Sequence, residues 1–475
     1  MVFASITFLY WFLPVVVLGY FLLPKRWRNG WLLVTSLFFY GWGAPKTLIL
    51  LAASVAVGYG MAFALEACEG AGKIVWKKIL LWLAIIMEVG CLIYFKYANF
   101  FLENVNRWTG GALALLKIVL PVGISFYTFQ IISYIVDVYR GTEKAQRNII
   151  DFAMYICLFT QLVAGPIVRY SDIAGQLRER DIKASEVKLG IRRVILGLSK
   201  KVLLADLLGE FCETVKDFQE STVVALWLSA IAFTLQIYFD FSGYSDMAIG
   251  LGRIFGFRFP ENFRYPYAAT SITDFWRRWH MTLTQWFRDY IYIPLGGNRC
   301  KKWKWICNIF IVWMLTGFWH GAEWNFVLWG LYFAVILLVE KLTNSGKVQT
   351  QKCPWWKTFL KHGYVILLVV IGFVIFEETD IFMLGQRLGG MFGLGNLAVS
   401  SEATWYYARS YGLLFLFGII GCIPVGKWLI GKIENQSIGK RILVVAEPVA
   451  WIVLLLLSTA YLVDGSYHPF LYFRF

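Results

Sequence analysis

The chain has 475 residues, of which 59% are hydrophobic, 18% aromatic and only 16% charged. Charged residues make up about 25% of an ordinary soluble domain, so this composition excludes a soluble globular protein. The formal net charge is +15, but the basic residues lie in short loops between apolar segments, which membrane topology explains better than a nucleic-acid partner does.

The first apolar segment, residues 1–24, predicts a retained membrane span. No basic residue precedes it, and its first charges, Lys25, Arg26 and Arg28, follow it, which is not the pattern of a removed signal peptide. Because basic residues that flank a span tend to stay in the cytoplasm, we expect residue 1 to face outward.

Hydrophobic segments recur along the whole chain and predict about eleven transmembrane helices, since a helix needs roughly 17 to 25 residues to cross the hydrocarbon. The segments lie near residues 3–23, 31–43, 47–65, 79–95, 113–138, 149–168, 222–242, 306–320, 324–340, 364–376, 411–430 and 443–463. The pattern predicts an all-α polytopic membrane protein with additional re-entrant or interfacial helices.

Residues 191–208 predict an amphipathic helix. Basic and polar residues recur at intervals of about seven, at Arg192 and Arg193, then at 199–201, then at Asp206, with apolar residues between them. Such a helix lies in the membrane interface with its apolar side in lipid. The alternative is a cytoplasmic helix with an ordinary solvated face.

Residues 252–304 are too polar for an ordinary span and too aromatic for an ordinary loop. They contain ten basic residues but only three acidic ones, Glu261, Asp274 and Asp289. Irregular backbone at membrane depth is tolerated only where protein or a water-filled cavity surrounds it. The segment therefore predicts a cavity that opens to the cytoplasm.

The eight cysteines form no CxxC pair. The two closest, Cys300 and Cys307, have no histidine at the spacing of a zinc site. We therefore expect free thiols and no bound metal.

Two of the four histidines, His280 and His320, stand in unusual surroundings. Ionisable residues within membrane segments are costly and are candidates for function, although either histidine could instead be a hydrogen-bonded packing residue. If the helix before His320 continues, Thr316 and Glu323 share its face and orient the imidazole. Gly321 leaves room beside the ring. A neutral imidazole held in this way suits general-base removal of a hydroxyl proton.

Helical spacing around His280 predicts two faces. The polar face carries Arg277, His280, Thr284 and Arg288, and the aromatic face carries Trp276, Trp279, Leu283 and Trp286. The arginines on the polar face suit the phosphates of a donor such as coenzyme A. The alternative is that they extend to lipid phosphates.

Six sequence motifs carry a resemblance to a known family. They are PVGISFYTFQ (121–130), QLVAGPIVRY (161–170), FDFSGYSDMAIGLGRIFGFRFPENFRYPY (239–267), FWRRWHMTLTQWFRDYIYIPLGGNR (275–299), LTGFWHGAEWNFVLWG (315–330) and PFLYFRF (469–475). Over nearly its whole length the chain resembles the membrane-bound O-acyltransferase family, and within it the alginate O-acetyltransferase branch.

The resemblance implies a single integral membrane domain over residues 1–475, with a catalytic core near residues 115–340 and a thin wall between a cytoplasmic tunnel and an extracellular funnel. It implies that His320 is the catalytic histidine and His280 the second active-site histidine. Trp276, Trp279 and Thr284 are expected to contact the donor together with the two arginines.

The implied donor is an acyl thioester, such as acetyl-CoA, that enters from the cytoplasm, and no permanently bound cofactor is expected. The implied acceptor is a polysaccharide outside a bacterial cytoplasmic membrane. Relatives in this branch usually work with an SGNH-hydrolase-like protein on that side.

The sequence departs from the family at residues 376–379, where Phe-Glu-Glu-Thr replaces a common Phe-Arg-Ala run. This difference bears on contacts with the polymer or the partner and not on the histidine motifs. Two other functions stay open. One is D-alanyl transfer to teichoic acid, in another branch of the family, and the other is a polysaccharide transporter or flippase.

Overall fold

The computed structural model describes residues 1–111, 113–217, 221–343, 354–465 and 470. All regular secondary structure in these residues is helical, so the predicted all-α fold is confirmed. The motif at residues 469–475 lies outside the described residues except for Phe470.

The α-helices of the described residues are labelled α1 to α22 in chain order. They are Leu13–Leu22, Arg28–Gly41, Thr47–Gly70, Ile74–Leu92, Ala98–Thr109, Ile124–Arg140, Ile149–Cys157, Phe159–Leu162, Tyr170–Arg178, Ala184–Ser199, Leu207–Lys216, Val223–Ile254, Ile272–Trp276, Met281–Phe287, Lys302–His320, Trp324–Leu342, Trp355–Glu377, Ile381–Met391, Glu402–Ser410, Gly412–Gly421, Val425–Glu434 and Ser437–Asp464. Wider π-helical turns occupy Phe8–Phe12, Ile93–Tyr97, Lys200–Asp206 and Arg288–Tyr292, and short 3-10 turns occupy Lys25–Trp27 and Pro266–Ala268.

Six helical segments of the described chain are long and apolar enough to cross a membrane: α3, the run Ile74–Thr109, α12, α16, α17 and α22. The pair α20 and α21, bent by 68°, raises the number to seven if it forms one span. Some predicted segments fold into shorter helices. Residues 149–168, for example, divide into α7 and α8 at Leu158. The figure of about eleven spans therefore stays a prediction.

The chain divides into two compact units. The first comprises residues 1–194 and 245–260, and the second comprises residues 195–244 and 261–475. Within the first unit, α3, α4 and α6 pack against one another. Within the second, α15, α16 and α17 pack in sequence, and α15 and α16 carry part of the candidate site. The single domain over residues 1–475 stays a prediction.

Glycines allow α15 and α16 to approach closely. A Cβ at Gly317 would lie 2.2 Å from the Phe326 carbonyl oxygen, and one at Gly330 would lie 2.4 Å from the Trp313 carbonyl oxygen. Small residues let helix backbones meet in this way in membranes. Because residue 317 meets 326 while 313 meets 330, the two helices are antiparallel.

The predicted amphipathic face within residues 191–208 is wrong at Lys201. This residue lies in the π-helical turn Lys200–Asp206 and is only 2% exposed. Its ammonium group pairs with Asp206 and Asp240, each at 2.7 Å. A buried cation needs such partners, so Lys201 belongs to an internal ion cluster and not to a polar face toward the membrane interface or solvent.

Candidate active site

A cavity of about 410 Å³ lies in the second unit. Eight of the nine residues that the sequence predicted for the site line this cavity: Trp276, Arg277, Trp279, His280, Thr284, Arg288, Thr316 and His320. They belong to α13, α14, α15 and the turns next to them. The fold therefore brings together two histidines that are 40 residues apart in the sequence.

His320 is the last residue of α15 and is 6% exposed. Its ring packs edge-on against Trp329 and Phe376, with ring centroids 5.1 and 5.3 Å away. The next residue must be glycine, because a Cβ at Gly321 would lie 2.0 Å from the Phe326 ring. These aromatic walls hold the imidazole in one position.

The continuous helix that would align Thr316, His320 and Glu323 is wrong. Helix α15 ends at His320, and Glu323 has extended backbone at the N-cap of α16. Glu323 is exposed and does not line the cavity. Thr316 does line the cavity, but its hydroxyl donates to the Val312 carbonyl oxygen at 2.7 Å. The His320 ring also packs against Trp329 of α16 and Phe376 of α17.

The helical stripe predicted around His280 is also wrong. Helix α13 ends at Trp276, and α14 begins only at Met281. Between them His280 has φ 42° and ψ 54°, in the left-handed region that residues with a Cβ rarely occupy. As a result, Trp276 and Trp279 do not face away from Arg277 but line the same cavity.

Asn262 holds His280 from a neighbouring loop. Its Oδ1 lies 3.1 Å from His280 Nδ1 and accepts the Thr282 hydroxyl at 2.9 Å. Both Asn262 and His280 are almost completely buried, and burial lowers the pKa of His280, so that its ring stays neutral. No local sequence pattern singles out Asn262, although it lies within the motif at residues 239–267.

Glu340 anchors the start of α13. This α16 residue is 1% exposed, and its carboxylate accepts the amides of Ile272 and Thr273 at 2.7 and 2.8 Å and the Thr273 hydroxyl at 2.7 Å. A carboxylate at a helix N-terminus satisfies amides that have no partner within the helix. Glu340 is not among the residues predicted for the site, although an acidic residue at the end of an apolar span is a usable signal.

Three basic side chains line the cavity: Arg277, Arg288 and Lys341. The ammonium group of Lys341 lies 5.6 Å from the ring centroids of both Tyr292 and Trp305. Arg288 is largely exposed and pairs with Asp289 at 2.7 Å. Of the residues that the structure describes, no acidic one lines the cavity, so its charge suits an anionic ligand.

Residues 376–379 lie next to His320, because the Phe376 ring packs against the His320 ring. The Phe376 carbonyl oxygen accepts from the Asn325 side chain at 2.8 Å, and Glu377 pairs with Arg387 at 2.8 Å and Lys216 at 3.2 Å. The Glu377 carboxylate is therefore held by cations of this chain.

Comparison with protein families matches residues 144–351 to the membrane-bound O-acyltransferase family. This range includes all nine residues that the sequence predicted for the site, together with Asn262, Glu340 and Lys341.

Curated relatives match over longer stretches. A probable alginate O-acetylase AlgI of Pseudomonas syringae pv. tomato is 41% identical over 84% of this chain and 77% of the relative. A peptidoglycan O-acetyltransferase of Helicobacter pylori is 32% identical over 98% of this chain and 96% of the relative. A teichoic acid D-alanyltransferase of Bacillus subtilis is 30% identical over 54% of this chain and 68% of the relative.

Proposed function

Since this chain belongs to the membrane-bound O-acyltransferase family, we propose that it transfers an acetyl group from a cytoplasmic thioester to hydroxyls of a polysaccharide outside the cytoplasm. Membership makes it an O-acyltransferase, and its apolar helices make it a multi-pass membrane protein. The proposal of an acetyl thioester as donor and a polysaccharide as acceptor is supported by one cavity that is lined by His320, His280 and three basic side chains.

His320 acts as the general base. Its neutral imidazole takes the proton of the acceptor hydroxyl as the oxygen attacks the thioester carbonyl carbon. The carbon–sulfur bond then breaks, and the imidazolium returns the proton to the departing thiolate. His280 lines the same cavity and serves as the second active-site histidine. General-base catalysis of this kind contributes about 10² to 10⁴ in rate.

The basic side chains bind the donor. Arg277, Arg288 and Lys341 suit the phosphate groups of acetyl-CoA, because guanidinium and ammonium groups form charge-assisted hydrogen bonds with phosphate. Trp276, Trp279 and Thr284 line the remaining wall and suit the less polar part of the donor. The volume of about 410 Å³ falls within the usual range of small-molecule sites.

The direction of α15 supports a cytoplasmic donor entrance. The helix has 19 residues, which corresponds to about 28 Å, with Lys302 at one end and His320 at the other. The positive-inside rule assigns the lysine-rich end to the cytoplasm. Lys341 lies at that same end, since its ammonium group is near Trp305.

The acceptor and the partner follow from the relatives. Both O-acetyl-transferring relatives named above act, by their names, on a glycan, and this chain covers most of each of them. We infer that the acceptor here is also an envelope or secreted polysaccharide of a bacterium. An SGNH-hydrolase-like protein on the outer side of the cytoplasmic membrane is the expected partner.

Two other functions fit less well. The D-alanyltransferase relative matches only 54% of this chain, whereas the O-acetyltransferase relatives match 84% and 98%. A flippase needs a basic cavity but no buried base beside it, and His320 is such a base. An assay that detects acyl transfer but no movement of glycan across the membrane would distinguish an acyltransferase from a flippase.

The decisive experiment replaces His320 with alanine and measures ester-linked acetate on envelope glycans of a strain that carries no other copy of the gene. We expect a loss of about 10² to 10⁴ in rate with normal membrane insertion. His362→Ala is the matched control, because His362 Nδ1 donates to the Ala269 carbonyl oxygen at 3.0 Å and the residue does not line the cavity. Normal acetylation in a well-expressed His320→Ala strain would refute the assignment.

A further inference from the structure

We propose that Asn262 is a positioning residue that fixes His280 in one tautomer and holds the left-handed turn on which His280 stands. This inference rests on the proposed function, because it assumes that His280 takes part in acyl transfer. Asn262 itself does not line the cavity and therefore acts through His280.

The loop that contains Asn262 pairs with the His280 turn on both sides. The Asn262 carbonyl oxygen accepts the Met281 amide at 2.9 Å, and the Arg264 amide donates to the Arg278 carbonyl oxygen at 2.9 Å. His280, at φ 42°, lies between these two bonds. A residue with a Cβ remains in this region only when its surroundings impose it, and such residues concentrate at functional sites.

The side chain of Asn262 determines which ring nitrogen carries the proton. Its Oδ1 faces the Thr282 amide at 3.4 Å and the Thr282 hydroxyl at 2.9 Å. A backbone amide can only donate, so the atom that faces it is the oxygen of Asn262 and not the amide nitrogen. The His280 Nδ1, 3.1 Å from the same oxygen, therefore carries a proton and donates it. Nε2 is left with the lone pair.

The surroundings strengthen this control. Asn262 is 0% exposed, and the His280 ring lies edge-on to Phe241 at 4.7 Å and to Trp319 at 5.6 Å between centroids. In an apolar site a hydrogen bond is stronger than in water, and a tautomer that placed two lone pairs face to face would be strongly disfavoured. His280 thus presents the same basic nitrogen throughout turnover.

A double-mutant cycle tests the proposal on the full-length protein in membranes. The variants are Asn262→Ala, His280→Ala and the pair, with donor kcat and KM as readouts. Residues that orient a metal-bound histidine typically change activity by about 10-fold to 100-fold, and we expect the same range for a residue that orients His280. We expect Asn262→Ala to lower kcat by that factor and to change the donor KM by less than about threefold. In the His280→Ala background the same substitution should change kcat by less than about twofold.

Thr282→Val is the matched control, because it removes another partner of the same Asn262 oxygen and leaves the bond to His280 in place. We expect a much smaller loss of kcat than in Asn262→Ala. Asn262→Ser replaces Asn262→Ala if the alanine variant fails to insert, since serine is small and polar but too short to reach the ring.

The outcomes separate the two proposals. Losses that multiply in the double variant, or equal losses in Thr282→Val and Asn262→Ala, would show a general structural role and overturn the inference while the proposed function stands. Unchanged turnover in His280→Ala would overturn both the inference and the role of His280. The role of His320 is measured separately.

Discussion

Glu340→Gln is the substitution whose effect the structure allows to be worked out most directly. The Glu340 carboxylate accepts three hydrogen bonds at the start of α13, from the Ile272 amide and from the amide and hydroxyl of Thr273. Helix α13 ends at Trp276, immediately before Arg277. A change at Glu340 therefore affects three residues of the cavity wall, Thr273, Trp276 and Arg277.

The magnitude follows from the bonds that glutamine cannot accept. One carboxylate oxygen becomes an amide nitrogen. The side-chain orientation that costs least turns this nitrogen toward the Ile272 amide, and that buried donor is then left without an acceptor. Such a loss costs about 1 to 3 kcal/mol, and the bonds to Thr273 weaken because the acceptor is no longer charged. If about 1 kcal/mol of this appears in donor binding, the donor KM rises roughly fivefold.

The assay combines thermal unfolding of the purified protein in detergent with donor kcat and KM in membranes. We expect a lower Tm and a higher donor KM, with kcat changed less than KM. Glu402→Gln is the control, because Glu402 is exposed on α19, and surface substitutions usually stay within about 0.5 kcal/mol. A Glu340→Gln protein with the Tm and donor KM of the unsubstituted chain would refute the anchoring role.

Two further predictions concern the donor entrance. We expect a higher donor KM, with kcat lowered less, in each of three variants: Arg277→Ala, Arg288→Ala and Lys341→Met. Each substitution removes binding that the ground state and the transition state share. An unchanged donor KM in all three would favour contacts of these side chains with lipid phosphates instead. Single cysteines at Lys301 or Lys302, in a chain without the native cysteines, should react only with thiol reagents admitted to the cytoplasm, whereas labelling of intact cells by an impermeant reagent would invert the proposed topology.

The fold class and eight of the residues that line the cavity could be predicted from the amino-acid sequence alone. Apolar runs of membrane-spanning length can satisfy their backbone only as helices or closed barrels, and their composition and length favoured helices. Segment 252–304 was identified as the wall of a cavity from its excess of basic and aromatic residues. His280 and His320 were singled out as ionisable residues in apolar surroundings, and both line the cavity.

The positions of the helix breaks and the contacts that hold the histidines could not be predicted from the sequence, because they depend on how distant elements pack. The helix breaks at His280 and Gly321 lie where the chain meets Asn262 and Phe326, and neither contact leaves a trace in local periodicity. The partners of Glu340 lie 67 and 68 residues away, and Lys201 pairs with Asp240 across 39 residues of chain. Periodicity reports which residues share a face of one helix, whereas these contacts depend on how separate elements pack, and that packing decided which polar groups reach the cavity and which are buried as structural anchors.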